Sequence, residues 1–298
     1  MNPGIIYATL AYMVWGLFPL YFRQIADVPA LEVVMHRTVW SLLFVVLLLL
    51  VLKRWAWIGQ VVRQPKVLGA FALSALLLSS NWLIYVWAVQ NQHVLDASLG
   101  YFILPLVNVT FAYAFLGERP RRGQWMAVAL AALGVVWLTV QTGRLPWVAL
   151  ALALTFGFYG LLRKVAVLGA LEGLTLETMM LAPFALAYLV YGVAQGDSVL
   201  LQANASALGW LAIAGPLTAI PLLLFAAGAR RIPMTTLGIL QYVSPSILFL
   251  LSVTVFNESL QLPRLVGFAL IWGALVVYSL EGLVNSRRVR LVQARGVA

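Results

Sequence analysis

The sequence predicts an all-α polytopic membrane protein: ten transmembrane helices in two inverted five-helix repeats, with both termini cytoplasmic. Three observations lead there. Of 298 residues, 63% are hydrophobic and only 9% charged, whereas about a quarter of a soluble domain is charged; that much apolar surface calls for a bilayer as solvent. The apolar residues gather into ten runs, each near the ~20 residues a helix needs to cross, and none shows the short alternating pattern of a barrel. Lastly, short stretches of the first half reappear in order in the second.

Span 1 (4–22) follows Met1-Asn2-Pro3-Gly4, which lacks a basic stretch, so it is expected to remain as an anchor and not be cleaved as a leader. It carries Trp15. Span 2 (33–52) starts just after Glu32 and holds His36 and Arg37 about one turn in, where Glu32 and His36, four residues apart, share a face. Span 3 (68–90) offers Asn81 and Tyr85 on one side, with Trp82 adjacent. Span 4 (96–116) has Asp96 at its outer end and a stripe of Ser98, Tyr101, Pro105, Asn108 and Ala112 at helical spacing. Span 5 (123–140) follows the basic "GERPRRG". Span 6 (146–162) has Tyr159 where span 1 has Trp15, and span 7 (175–193) is opened by Glu177, an acid at a helix N-terminus. Span 8 (207–228) is almost wholly apolar. Span 9 (234–256) repeats the stripe of span 4 with Thr235, Gly238, Gln241 and Pro245, and Tyr242 beside it; span 10 (264–282) ends in a basic tail. The organisation is a first repeat over 1–142, a second over 143–284 and a cytoplasmic tail over 285–298.

The net charge of +10 does not point to nucleic acid. With the first and later odd-numbered gaps outside, fifteen Lys and Arg fall inside, only Arg23, Arg144 and Arg264 fall outside, and Arg37 lies within a span. Such a bias orients both termini to the cytoplasm and suits contact with acidic lipid headgroups. The chain has no Cys, and His36 and His93 lack partners at metal-ligand spacing, so thiolate chemistry is excluded and no metal site or cofactor is expected.

The repeat rests on four matches. "WGL" (15–17) lies over "YGL" (159–161), "LEVVMHR" (31–37) over "LETMMLA" (176–182), "SLGYFILPLVNV" (98–109) over "TLGILQYVSPSILF" (236–249), and "LGE" (116–118) over "FNE" (256–258). Five helices per repeat is an odd number, so the second copy enters the membrane inverted. Inverted repeats are the architecture of secondary transporters, with the solute site between the halves. Duplication also yields membrane proteins that transport nothing, and that alternative, a scaffold or receptor, stays open here.

These residues resemble the EamA family of the drug/metabolite transporter superfamily, through "LGERPRRGQWMAVALAALGVV" closing the first half. "AYMVWGLFPLYF", "LEVVMHRTVWS", "NWLIYVWAVQNQHVLDASLGYFILPLVNV" and "LGILQYVSPS" are similar to its RarD subgroup, as are "FGFYGLLRK" and "IPLLLFAAGAR". The resemblance spans essentially the whole chain. It implies a ten-helix transporter of the cytoplasmic (inner) membrane with both termini inside; members of the subgroup are commonly labelled chloramphenicol-sensitivity proteins or permeases. Leu104 stands before Pro105 where the subgroup is expected to carry Asn, which removes a polar group from span 4.

The candidate solute-binding residues are Trp15, Asn81, Tyr85, Ser98, Tyr101, Asn108, Tyr159, Gln241 and Tyr242, an aromatic lining with few hydrogen-bonding groups that suits a small, partly apolar metabolite or drug. Proline inside a span frees a carbonyl that needs a partner or a wet cavity, so spans 4 and 9 are the expected path, the alternative being close helix packing. Glu32, His36, Arg37 and Asp96 are candidates for gating or coupling. Arg37 is either a cationic anchor for an anionic or zwitterionic group or a tie between span 2 and a neighbour. Glu118 and Glu258, at equivalent loop positions, read as structural. The expected function is export of a small organic metabolite or drug by alternating access, with membrane lipid around it; import, or carriage of a lipid-like solute by the same fold, is the alternative beside the scaffold. Proton coupling through His36, Asp96 or Glu32 and a homodimer are both left open. Nothing resembles the phosphate-cradling G-x-x-x-x-G-K-[ST] loop, and no reactive constellation suggests an enzyme.

Overall fold

The computed structural model describes residues 2–25, 27–90, 94–142, 147–201, 205–255 and 262–296; inside the helices some side chains, those of Asp96 and Ser98 included, are outside the description, as are His93 and Glu258. Every regular element among the described residues is helical. The order is α1 (Pro3–Gly16), α2 (Phe18–Phe22), α3 (Ala30–Leu52), α4 (Trp57–Val61), α5 (Pro65–Gln90), α6 (Val94–Leu116), α7 (Arg122–Thr142), α8 (Trp147–Val165), α9 (Ala170–Gln195), α10 (Ala205–Ala229), α11 (Met234–Leu240), α12 (Val243–Thr254) and α13 (Leu262–Gly296). Nine stretches among the described residues are long and apolar enough to cross a membrane, and Gly100–Leu116 of α6 is a shorter apolar one. Each of the ten predicted runs is therefore helical, and the protein is an all-α polytopic membrane protein.

The structure departs from the expected elements in four places. Span 1 is two helices, α1 and α2, which part at Leu17. The ring of Pro19 has no N–H to give and crowds the carbonyl four residues back, at Trp15. Span 9 parts into α11 and α12 at Gln241 and Tyr242, and Pro245 bears on Gln241 in the same way. By contrast α6 runs unbroken over Pro105. Span 7 begins at Ala170 instead of 175, and residues 285–296 of the expected tail continue α13 as helix.

Apolar side chains in lipid gain little by meeting each other, so helix association rests on close van der Waals packing and on polar ties. The seam of α1 and α10 shows the first: a Cβ on Gly228 would lie 3.0 Å from the Ala8 nitrogen and 3.1 Å from the Gly4 carbonyl. Ala8, Ala11 and Tyr12 of α1 pack there with Phe225 and Ala229 of α10 into the largest buried cluster. A polar tie follows, since the Tyr12 hydroxyl donates to the Leu237 carbonyl of α11 at 3.1 Å.

The packing pattern has a symmetry of its own. α1 packs on α10 and α12, α3 on α9 and α10, α5 on α8 and α9, α6 on α8 and α11, and α7 on α13. Exchanging each span with the one five places along turns the α1–α10 contact into α8–α5, the α3–α10 contact into α9–α5, and the α6–α8 contact into α12–α1.

Candidate functional site

Where the broken helices α1/α2 and α11/α12 cross, the packing opens into a cavity of about 170 Å³, room for a small solute rather than one water. The crossing is tight: a Cβ at Gly16 would lie 2.8 Å from that of Ile247 and 3.0 Å from the Ser244 carbonyl. Each break sits on the cavity rim, through Phe18 and Pro19 on one side and Gln241, Ser244 and Pro245 on the other. Discontinuous helices at a solute site are a recurring transporter device.

The walls are aromatic. Trp15 meets Phe156 of α8 edge-on at 5.6 Å and Tyr12 at 5.8 Å. Across from them Tyr85 of α5 and Tyr101 of α6 meet edge-on at 6.3 Å. Asn81 lines the cavity too, held by Nδ2 donation to the Leu152 carbonyl and the Thr155 hydroxyl of α8, both at 2.9 Å. Gln241 faces the cavity while its Oε1 accepts from Asn108 Nδ2 at 3.0 Å, joining span 9 to span 4.

Arg37 also lines the cavity. It is only 8% exposed, and a cation inside a span costs about 2.5–3.5 kcal/mol at the centre and less near an end. Its Nε donates to the Thr218 hydroxyl of α10 at 2.8 Å, and its guanidinium lies 4.9 Å from the Trp82 ring centre, 5.6 Å from Phe18 and 6.0 Å from Phe22. Among the described residues no carboxylate pairs with it. Among the lining residues that the sequence reading missed are Thr218, Phe18, Phe22 and Phe156; for Thr218, a Thr flanked by Pro216 and Pro221 in an otherwise apolar span was the available signal.

Other candidates lie elsewhere. Tyr159 is wholly buried and stacks on Phe225 at 6.1 Å, outside the cavity lining. Tyr242 is wholly buried and its hydroxyl donates to the Phe102 carbonyl at 3.2 Å, a tie between spans 9 and 4. Asn108 touches the cavity only through Gln241. Glu32 and His36 are buried outside the lining: Glu32 accepts from the Ser198 hydroxyl at 2.7 Å and the Val199 N–H at 3.0 Å, with His36 Nε2 at 3.9 Å. The Asp96 and Ser98 side chains fall outside the described part.

Ties at the other end of the bundle join distant segments. Glu177 of α9 is fully buried, accepts from Ser74 of α5 at 2.5 Å and has Arg163 Nη1 of α8 at 3.6 Å. Arg163, 1% exposed, also donates to the Ala170 carbonyl at 3.0 Å. Because α9 starts at Ala170, Glu177 stands two turns inside the helix and not at its opening. Glu118 takes the N-terminal role instead, but for α11: it accepts from the Met234 and Thr235 N–H groups at 2.7 and 3.0 Å. Lys164 reaches Glu118 at 3.9 Å and donates to the Ile232 carbonyl at 2.7 Å, Arg54 pairs with Glu172 at 2.9 Å, and Arg230 donates to the Leu168 carbonyl.

Comparison with known proteins agrees with this architecture. Residues 2–140 match the EamA-like transporter family. A Pseudomonas aeruginosa protein named as an uncharacterized transporter is 46% identical, over 97% of both chains. Protein RarD of Escherichia coli is 43% identical over 96% of both chains, and a chloramphenicol-sensitive protein RarD of Pseudomonas aeruginosa is 34% identical over 99% of this chain and 98% of its own. A solved crystal structure, 20% identical, superposes with a TM-score of 0.69 over 94% of this chain and 98% of that one; at this identity it shows the fold alone.

Proposed function

The chain belongs to the EamA-like transporter family and, within it, to the RarD group, and on that premise we propose that it exports small organic solutes across the cytoplasmic membrane as a secondary transporter. The observation that carries this reading is the cavity at the crossing of two broken helices, with walls from both halves of the chain, set against an opposite end tied by the buried Arg163–Glu177 pair and further polar contacts. The two halves, 1–142 and 143–284, act as inverted repeats that rock about this cavity; the exchange symmetry of their packing supports that division. The closed end carries Arg54, Arg163, Lys164 and Arg230, so the positive-inside rule assigns it to the cytoplasm, together with both termini. The state described has its inner door shut. Opening it means separating Glu177 from Ser74 and Glu118 from α11 while the outer ends close over Arg37.

Glu32 and His36 are the pair to examine for proton coupling, at the end opposite the closed one. The test is solute flux in vesicles containing only this protein, with and without a pH gradient. The panel holds amino acids, small carboxylates and chloramphenicol, the last because a relative carries that drug in its name. Saturable flux of one class supports the reading. No flux from correctly inserted protein turns it toward the scaffold or receptor alternative.

A further inference from the structure

We propose that the cavity selects organic monoanions, a carboxylate joined to an aromatic or apolar body, and that Arg37 supplies the positive charge that holds them. This rests on the cavity being the solute site. The acids among the described residues leave Arg37 free for that task. Glu32 is taken by Ser198 and Val199, Glu118 by the N-terminus of α11, Glu172 by Arg54, Glu177 by Ser74 and Arg163, and Glu281 by Arg121 at 3.2 Å. Asp27 and Asp197 are exposed. Arg37 is thus a buried cation without an acid among the described residues, whereas the other buried cation, Arg163, has Glu177. A buried charge without its opposite is costly, and a solute that brings the opposite charge removes that cost.

The geometry says which part of the guanidinium is left for the solute. Nε is committed to Thr218, and the aromatic rings of Trp82, Phe18 and Phe22 surround the group. No described group accepts from the two terminal nitrogens, and these form the planar fork that matches a carboxylate. Tyr85 and Tyr101 line the same cavity and bring neutral donors. The rest of the described wall is apolar, as at Trp15, Phe156 and Leu222, or neutral and polar, as at Asn81, Gln241 and Ser244, and carries no second charge. With no acid in the described lining to receive an ammonium group, a zwitterion is a poorer fit than the simple anion.

The test uses the full chain in lipid nanodiscs and reads quenching of tryptophan emission, since Trp15 and Trp82 line the cavity. The probes are phenylacetate, phenylbutyrate, benzoate and hexanoate, each against its neutral amide, with phenylalanine as the zwitterion. The expected result is that carboxylates bind at least tenfold more tightly than their amides, about 1.4 kcal/mol, with phenylalanine behind them. Arg37→Gln removes the preference, Arg37→Lys keeps part of it, and Thr218→Val weakens carboxylates a few-fold without altering the amides. Elution as a single species shows which variants are folded, and Thr218→Val carries the test if Arg37→Gln is not. Equal binding of acids and amides, an undiminished preference in Arg37→Gln, or no carboxylate binding at all overturns the proposal. So does Asp96→Asn binding phenylacetate more tightly, because that would make Asp96 the resident counter-ion. Flux in the same preparation separates the two claims: neutral solutes moving with no preference for anions leaves the transporter and removes the anion site, while tight anion binding with no flux does the reverse.

Discussion

Ser74 of α5 donates a 2.5 Å hydrogen bond to Glu177 of α9, in a place where Glu177 is fully buried and its nearest cation, Arg163, is 1% exposed. The residue over which Glu177 falls in the repeat, Glu32, makes a matching bond to Ser198 at 2.7 Å near the other end of the bundle. Two acids that the sequence comparison sets over each other therefore tie distant segments at opposite ends, a pairing that the proposed alternating access would break in turn.

Removing the inner acid shows whether it closes that end. Glu177→Ala leaves Arg163 buried without an opposite charge, a change that costs about 3–5 kcal/mol in soluble proteins; Glu177→Gln keeps the bond to Ser74 and costs less. The chain has no native Cys, so Thr178→Cys, buried beside Glu177, reports access without background. Maleimide labelling from the cytoplasmic side is expected to be slow in Thr178→Cys alone and several-fold faster once Glu177→Ala is added. Equal rates would mean the clasp does not hold the inner end shut.

Gly16 is expected to tolerate no larger side chain. With Ile247 and Ser244 already within about 3 Å of an added Cβ, Gly16→Ala has to spread α1 from α12, at roughly 1–3 kcal/mol for overpacking. A lowered melting temperature and lowered flux are the expected pair of effects. Gly69, where an added Cβ meets nothing, is the control, and Gly69→Ala should match the unaltered protein in both.

Asn108 separates holding a site from being one. Asn108→Ala takes away the partner of Gln241 without touching the cavity wall. A hydrogen bond between membrane helices is worth about 0.6–2 kcal/mol, so stability falls by about that much. Flux should keep its maximal rate while the half-saturating concentration rises, because Gln241 is less well placed. Loss of the maximal rate with unchanged half-saturation would contradict this positioning role.

The sequence made the ten spans legible because each is a long apolar run whose cost in water is large, and it made Arg37 legible because a cation inside such a run has few explanations. What it hid was a matter of distance along the chain. Pro19 lies so near the end of span 1 that it reads as a boundary, and only the Gly16–Ser244 approach shows that the chain breaks there to edge a cavity. Arg163 reads as a loop cation after span 6, yet α9 starts early enough to fold its first turns over it. Thr218 costs little in an apolar helix and so leaves no mark in composition; its role appears only when α10 brings it to Arg37. Glu118 did read as structural, but its partner, the N-terminus of α11, lies more than a hundred residues away.

The most direct measurement is flux through Gln241→Ala and Tyr101→Ala, two changes to the cavity wall on opposite halves of the chain, in vesicles where insertion is verified for each. Normal insertion and loss of saturable flux are expected in both. Normal flux in both, from protein inserted as well as the unaltered chain, would place the solute path somewhere other than this cavity.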